Sequence, residues 1–206
     1  MSGQRDIRLL LADVDGIRVT QDDVLTEAAK AAARVLNHAG IIFTITRGRP
    51  PRGMSMLVEP LALQRAVAGF DGGVFVNPDL SVIDSHKIDP ATTKQSVKLI
   101  VDRGLDVCVY MDEEWLSLIR PRHMWRTRRG VKFDAKVVAS FTGAYLAGMV
   151  KFAGLSDALD LVADCEKVTQ NTLGEKANAA RSQPYYLDVT TRKPIREQSW
   201  QLDPSF

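Results

Sequence analysis

The chain reads as an α/β protein whose parallel-sheet core is laid down first and is followed by a smaller α+β module. Three observations carry that expectation. An apolar run, Leu9–Ala12, ends in Asp13-Val14-Asp15-Gly16 close to the N-terminus. A helix-period segment and a second apolar run, Ile41–Thr46, follow at the spacing of a right-handed βαβ unit. At Asp89-Pro90 the pattern restarts, and the later strands lack long Val/Ile/Leu runs, as in an antiparallel module.

Composition narrows the function classes. The 206 residues can bury one core or two small ones. A formal net charge of +2 is too small to argue for a polyanionic partner. Cys108 and Cys165 lie in an apolar run and a helical pattern, which reads as two buried thiols in a reducing compartment. No run reaches the roughly 18 apolar residues of a membrane span, and Met1–Asp6 has no signal-peptide pattern. The expected location is cytoplasmic.

Leu9–Ala12 has the continuous apolar character of a strand buried on both faces. Alternation sends Asp13 and Asp15 to one side, and Gly16 lets the chain turn sharply behind them. Open α/β sheets bind ligands at the carboxyl ends of their strands. Two like charges held close are costly unless a cation or a reaction uses them. Asp13 and Asp15 are therefore the candidate reactive pair.

The next elements follow in order. Gln21–Val24 is polar linker. Leu25, Ala28, Ala29, Ala32 and Leu36 recur at helical spacing, with Thr26 near the start and Gly40 as the stop. Ile41–Thr46 is the second strand, ended by Arg47-Gly48-Arg49-Pro50-Pro51. A short helix is expected over Met54–Leu61, and a strand over Val67–Val76, broken at Asp71-Gly72-Gly73. Asn77-Pro78-Asp79 turns into Ser81–Ile88.

Asp89 caps and Pro90 opens a helix carrying Val97, Ile100 and Val101, closed by Gly104. Asp106–Met111 alternates as a strand, and Asp112–Glu114 and Trp115 lead into a less regular, Arg-rich stretch, Ser117–Ala135. Met149–Gly154 is a strand, Asp157–Leu173 a helix stopped by Gly174, and Tyr185–Val189 the last strand. The expected division is core 1–86, α+β module 87–189 and irregular tail 190–206.

Taken together, Asp13-Val14-Asp15-Gly16, the Gly48-Arg49-Pro50 turn, the Gly72-Gly73 turn and Ser182-Gln183-Pro184-Tyr185-Tyr186-Leu187-Asp188 resemble the haloacid dehalogenase (HAD) superfamily. The closest likeness is to its Cof-type sugar-phosphatase branch, over about Ile7 to Val189. The resemblance implies a HAD-like, Rossmannoid parallel-sheet core, incomplete here, with an inserted α+β cap. It implies that Asp13 attacks phosphorus, forming an aspartyl-phosphate, and that Asp15 is the acid and base. It places Mg²⁺ on Asp13 and on the backbone carbonyl of Asp15. Phosphate would be held around Gly16, Arg47, Gly48, Arg49 and Gly72, with Lys193 standing in for the family's lysine. The substrate would be a small phosphorylated metabolite of the sugar-phosphate kind. Phosphoryl transfer does need an in-line nucleophile, a proton shuttle and heavy charge neutralisation.

The chain departs from that pattern at several positions. Ile17 stands where relatives carry Thr, and Arg18 where they carry an apolar residue. Arg47 stands where they carry Ser or Thr, and Asp71 where they carry Asn. Thr46 offers a hydroxyl one residue early, and alternation is expected to point it the other way. Pro194 follows Lys193 in place of glycine, and no acidic cluster follows Val189. The guanidinium of Arg47 can bind a carboxylate in bidentate fashion, making it an internal cation that competes with Mg²⁺. The expectation is a weak Mg²⁺-dependent phosphate-monoester hydrolase. The alternative is an inactive phosphate- or sugar-phosphate-binding protein, or a protein-interaction module.

Two further expectations concern surfaces. Leu9–Ala12 would lie at a sheet edge, covered either by the tail or by a second copy in a homodimer. The run Arg120, Arg122, Arg126, Arg128, Arg129 and Lys132, with His123 and Trp125, reads as a solvated face. No nucleic-acid fold motif accompanies it. His38 and His86 have no Ser, Cys or second His at useful spacing and read as structural.

Overall fold

The computed structural model describes residues 7–14, 25–118, 131 and 133–192. The chain divides into two compact units, the first running to Asp84 and the second beginning at Ser85.

The first unit is a five-stranded sheet among the described residues, in the order β1-β2-β3-β4-β5. Its strands are β1 (Leu9–Asp13), β2 (Ile42–Arg47), β3 (Val67–Gly69), β4 (Val74–Val76) and β5 (Val82–Ser85). β1 and β2 run parallel, joined through helix α1 (Glu27–His38), so the βαβ expectation holds. Thr26 caps α1, its hydroxyl accepting from the Ala29 amide at 3.2 Å. β2 carries the centre of the core, with Ile45 fully buried and Phe43 7 % exposed. Thr44 fits this apolar layer because its hydroxyl donates to the Ala66 carbonyl.

β1 differs from its expectation of burial on both faces. It is the edge strand of the described sheet, in line with the edge expectation, and Leu10 is 41 % exposed. The expected single strand over Val67–Val76 is instead a tight antiparallel hairpin, β3 against β4. The expected helix over Met54–Leu61 begins earlier, as a 3₁₀ turn (Pro51–Met54) running into α2 (Ser55–Val58). Pro51 is the reason, since its fixed φ suits a first helical position.

The second unit is a six-stranded sheet, in the order β10-β11-β9-β6-β7-β8 among the described residues. Its elements are α3 (Pro90–Asp102), β6 (Asp106–Tyr110), β7 (Trp115–Ser117), β8 (Lys136–Val137), α4 (Gly143–Gly148), β9 (Lys151–Leu155), α5 (Leu159–Leu173), β10 (Ala177–Gln183) and β11 (Tyr186–Thr191). Every recorded pairing is antiparallel except β7 with β8.

Helices α3 and α5 cover one face, where Ile100, Val107, Val109, Phe152, Val162, Cys165, Leu187 and Val189 form one core. Gly154 permits that approach: a Cβ there would stand 2.8 Å from Ile100 Cγ2. Cys108 and Cys165 are buried thiols, neither joined in a disulfide among the described residues. β7, β8, α4 and β10 were not foreseen. In β10 only Ala177 and Ala179 face the core, so it lacks the β-branched or aromatic signature of a strand. Among the described residues no helix is long and apolar enough to cross a membrane. The basic positions from Arg120 to Lys132 lie outside the described residues.

Candidate active site

β1, β2 and β3 run parallel, so their C-terminal ends, Asp13, Arg47 and Gly69, share one edge of the sheet. That is the edge at which an open α/β sheet presents ligand-binding groups. Asp13 is exposed there.

The β1–β2 ladder places Thr46 directly across from Asp13. Residues paired in this way share a face, which corrects the expectation that Thr46 turns away. Its Oγ1 is buried and has no hydrogen-bond partner among the described residues. Thr46 thus lies on the face of Asp13, a placement that sequence reasoning set aside. Only the inter-strand register could have found it.

Arg47 is 3 % exposed, so it is not a solvated surface arginine. A buried guanidinium requires counter-charge, and the two flanking strands each bring a carboxylate to this edge, Asp13 as the last residue of β1 and Asp71 beyond β3. Arg49 is half-buried.

The turn after β2 is knitted to the turn after β3 by backbone hydrogen bonds. Asp71 N donates to Arg47 O at 3.0 Å, and Phe70 N to Arg49 O at 3.1 Å. Within the β3–β4 turn, Gly72 N donates to Gly69 O and Gly73 N to Phe70 O, both at 3.1 Å. Phe70, Asp71 and Gly72 have φ of 53°, 55° and 94°. Left-handed backbone is easy for Gly72 but uncommon for a bulky Phe, and such strain persists only where the surroundings over-determine it. Phe70, 2 % exposed, is the buried anchor.

The strained turn sets the carboxylate of Asp71 against the β2 turn: a Cβ on Gly48 would lie 3.1 Å from Asp71 Oδ2. Gly69 is small for a similar reason, since its Cβ would fall 2.6 Å from Pro51 Cδ. Gly48 and Gly72 are therefore brought into one loop cluster with Arg47 and Asp71. Asp15, Gly16 and Lys193 lie outside the described residues.

No group of three His, Cys, Asp or Glu side chains suited to a metal ion exists among the described residues. Mg²⁺ needs only one or two protein carboxylates beside water and substrate oxygens, and the exposed carboxylate of Asp13 fits that limited role.

A sequence model of haloacid dehalogenase-like hydrolases matches residues 10–194. The chain belongs to that family. The match takes in both units and all three strand ends just described. Among solved structures, the fold is similar to a haloacid dehalogenase-like hydrolase from Bacteroides thetaiotaomicron, with TM-score 0.79 and 16 % identity over 91 % of this chain and 72 % of that one. A haloacid dehalogenase-like hydrolase from B. subtilis aligns with TM-score 0.75 and 15 % identity, over 91 % and 74 %. A HAD subclass IIB sugar phosphatase aligns with TM-score 0.73 and 16 % identity, over 90 % and 70 %. No curated protein sequence matches. At these identities the solved relatives establish the fold of this haloacid dehalogenase-like hydrolase, an α/β core accompanied by an α+β unit.

Proposed function

We propose that this haloacid dehalogenase-like hydrolase cleaves phosphate monoesters slowly, through an aspartyl-phosphate on Asp13. The observation that carries the reading is the exposed carboxylate of Asp13 at the C-terminal end of a parallel strand, beside two knitted turns. A carboxylate oxygen of Asp13 attacks phosphorus while the ester oxygen leaves, taking a proton from Asp15. Water then attacks the phosphorus of the aspartyl-phosphate, giving its proton to Asp15 and releasing phosphate, so that Asp13 is regenerated. The role of Asp15 comes from the family pattern. Asp13 and the main chain of Asp15 would hold Mg²⁺, which supplies charge neutralisation to the phosphoryl oxygens when bound.

The low rate follows from the residues at the strand ends. A buried arginine occupies the position of the family's hydroxyl, and loss of one preorganised ligand to the transferring group costs about 10²–10³ in rate. Asp71 adds a negative charge beside the β2 turn that a phosphate dianion must approach. The second unit would serve as the cap. The sugar phosphatase among the solved relatives supports a small sugar-phosphate-like ester as substrate.

These two charged residues also favour a second reading, a protein that binds phosphate esters without turnover. Hydrolysis of 4-nitrophenyl phosphate with Mg²⁺ separates the two. Measurable turnover that disappears in Asp13→Asn is the expected result. Saturable ester binding with no turnover in the unmodified protein would select the binding reading instead.

A further inference from the structure

The β1 side of the five-stranded sheet is unfinished among the described residues. Ile42 N donates to Arg8 O at 2.8 Å, and the parallel register sets Leu9 across from Ile42. In such a ladder Arg8, Leu10 and Ala12 turn their backbone groups to β2, whereas Leu9 and Leu11 turn theirs outward. Those outward N–H and C=O groups meet no described strand. An open row of this kind is a template for another strand, and folds blunt it with charge or proline. Leu9–Ala12 carries neither.

The neighbouring helix is unfinished on the same side. α1 packs on β2, with Ala33 buried. At about 100° per residue, Asn37 lies on one flank of Ala33, and Ala32, Ala28 and Val35 lie on the other. Asn37 Nδ2 donates to Ala62 O at 3.4 Å, in the connection from β2 to β3. The flank of Ala28, Ala32 and Val35 therefore faces the β1 edge. All three are exposed, Val35 at 67 %. Ile7, just ahead of β1, is 72 % exposed. A strand edge and an apolar helix flank that lie side by side mark an interaction surface.

Two features select its occupant. The first is that a strand and an apolar helix flank are wanted together. A second copy of this chain brings both, related by a two-fold axis. Residues 193–206 are too few for a strand, a turn and a helix as long as the 12 residues of α1. The second is charge. Arg8 precedes the strand and Asp13 ends it. Antiparallel pairing brings the Arg8 end of each strand to the Asp13 end of the other, opposite charge to opposite charge.

We propose that the β1 edge and the Ala28–Ala32–Val35 flank of α1 form the interface of a homodimer. The two β1 strands pair antiparallel and join the two five-stranded sheets. A two-fold axis perpendicular to the sheet sets Leu10 across from its own copy and Leu9 across from Leu11. The hydrogen-bonded pairs are then those of Leu9 with Leu11, the residues whose backbone groups point outward. Both α1 helices lie on one face, where their alanines allow close approach and Val35 gains apolar cover. This interface goes beyond the hydrolase reading and stands without it.

The test is sedimentation velocity of the full chain over the micromolar range, joined to amide hydrogen exchange read by NMR. The unmodified protein should sediment as a dimer, with slow exchange at the Leu9 and Leu11 amides. Leu10→Lys sets two ammonium groups face to face at the axis and should raise the dimer Kd about 100-fold or more. Exchange at Leu9 and Leu11 should become fast in that variant. Val35→Lys changes only an exposed helix position and provides a second reading should Leu10→Lys fail to fold. It should raise Kd about tenfold, from the lost burial of one valine. A monomer with fast exchange at Leu9 and Leu11 would overturn the proposal. So would a monomer with slow exchange there, since a segment of the same chain would then fill the edge. A dimer that neither variant weakens would place the interface elsewhere and overturn it equally.

Discussion

At the scale of single residues, the two side chains at the end of β2 are the ones that stand on the strand next to Asp13. Thr46 holds a buried hydroxyl without a hydrogen-bond partner among the described residues, directly across from Asp13. Such a group costs about 1–3 kcal/mol, and replacing it with an isosteric methyl removes that cost. Thr46→Val should therefore raise Tm by a few degrees, on the scale of roughly 2–4 °C per kcal/mol for a chain of this size. A lower Tm in calorimetry would show that the hydroxyl is bonded in the folded protein.

Arg47 brings the opposite influence, a buried positive charge on the strand next to Asp13. Removing one unit charge at an effective dielectric near 20 changes the affinity of a neighbouring cation by roughly tenfold or more. Arg47→Ser should strengthen Mg²⁺ binding by that order in titration calorimetry. Unchanged affinity would remove Arg47 from the electrostatics of the site.

The contribution of these residues was partly legible. Asp13 is marked by its position after an apolar run, and Arg47 by its charge in a turn rich in breakers. The placement of Thr46 was not legible. Strand alternation in one strand says nothing about its register against another, and here the register decides which of two successive side chains shares a face with Asp13.

At the scale of elements, local signals worked where the backbone itself demands a residue type. Thr26 caps α1, and Asp89 with Pro90 opens α3 as their chemistry requires. The cap of α3 also has a pH signature. The Thr92 backbone amide, 2.9 Å from Asp89 Oδ2, and then the Thr92 hydroxyl hold the Asp89 carboxyl below its ordinary value of 3.8. A carboxyl whose folded pKa is depressed contributes stability above its unfolded pKa. That contribution is lost as pH falls from about the ordinary value through the lower folded one.

Asp89→Asn keeps a capping oxygen but does not titrate. Thermal melts should therefore show a Tm close to that of the unmodified protein at neutral pH and a shallower fall below pH 3.8. An identical acid profile would contradict the assignment. Signals failed for elements whose order comes from distant partners. The Phe70–Asp71–Gly72 turn is held by hydrogen bonds to the β2 turn, and a side chain at Gly48 would crowd the carboxylate of Asp71, 23 residues later in sequence. Trp115–Ser117 is a strand because β6 pairs with it, not because three residues announce one.

At the scale of the whole chain, two units with different sheet chemistry follow from two kinds of pattern. Continuous apolar runs built the parallel core, whereas in the antiparallel unit strands β10 and β11 alternate in burial and the central β6 and β9 are buried almost throughout. The compact units divide after Asp84, near the change in pattern read at Asp89-Pro90. The edge position of β1 was foreseen, but the burial on both faces read from its leucines was not met, because a run of leucines fixes apolarity and not the number of neighbours a strand acquires.

The account as a whole depends on a covalent bond forming at one carboxylate. The full chain should be mixed with 4-nitrophenyl phosphate and Mg²⁺, quenched in acid and digested, and the peptide carrying Asp13 weighed by mass spectrometry. The account predicts one added phosphoryl group on that peptide, absent in Asp13→Asn. Turnover of the ester with the phosphoryl group on another peptide, or on none while the quench preserves a control aspartyl-phosphate, would contradict it.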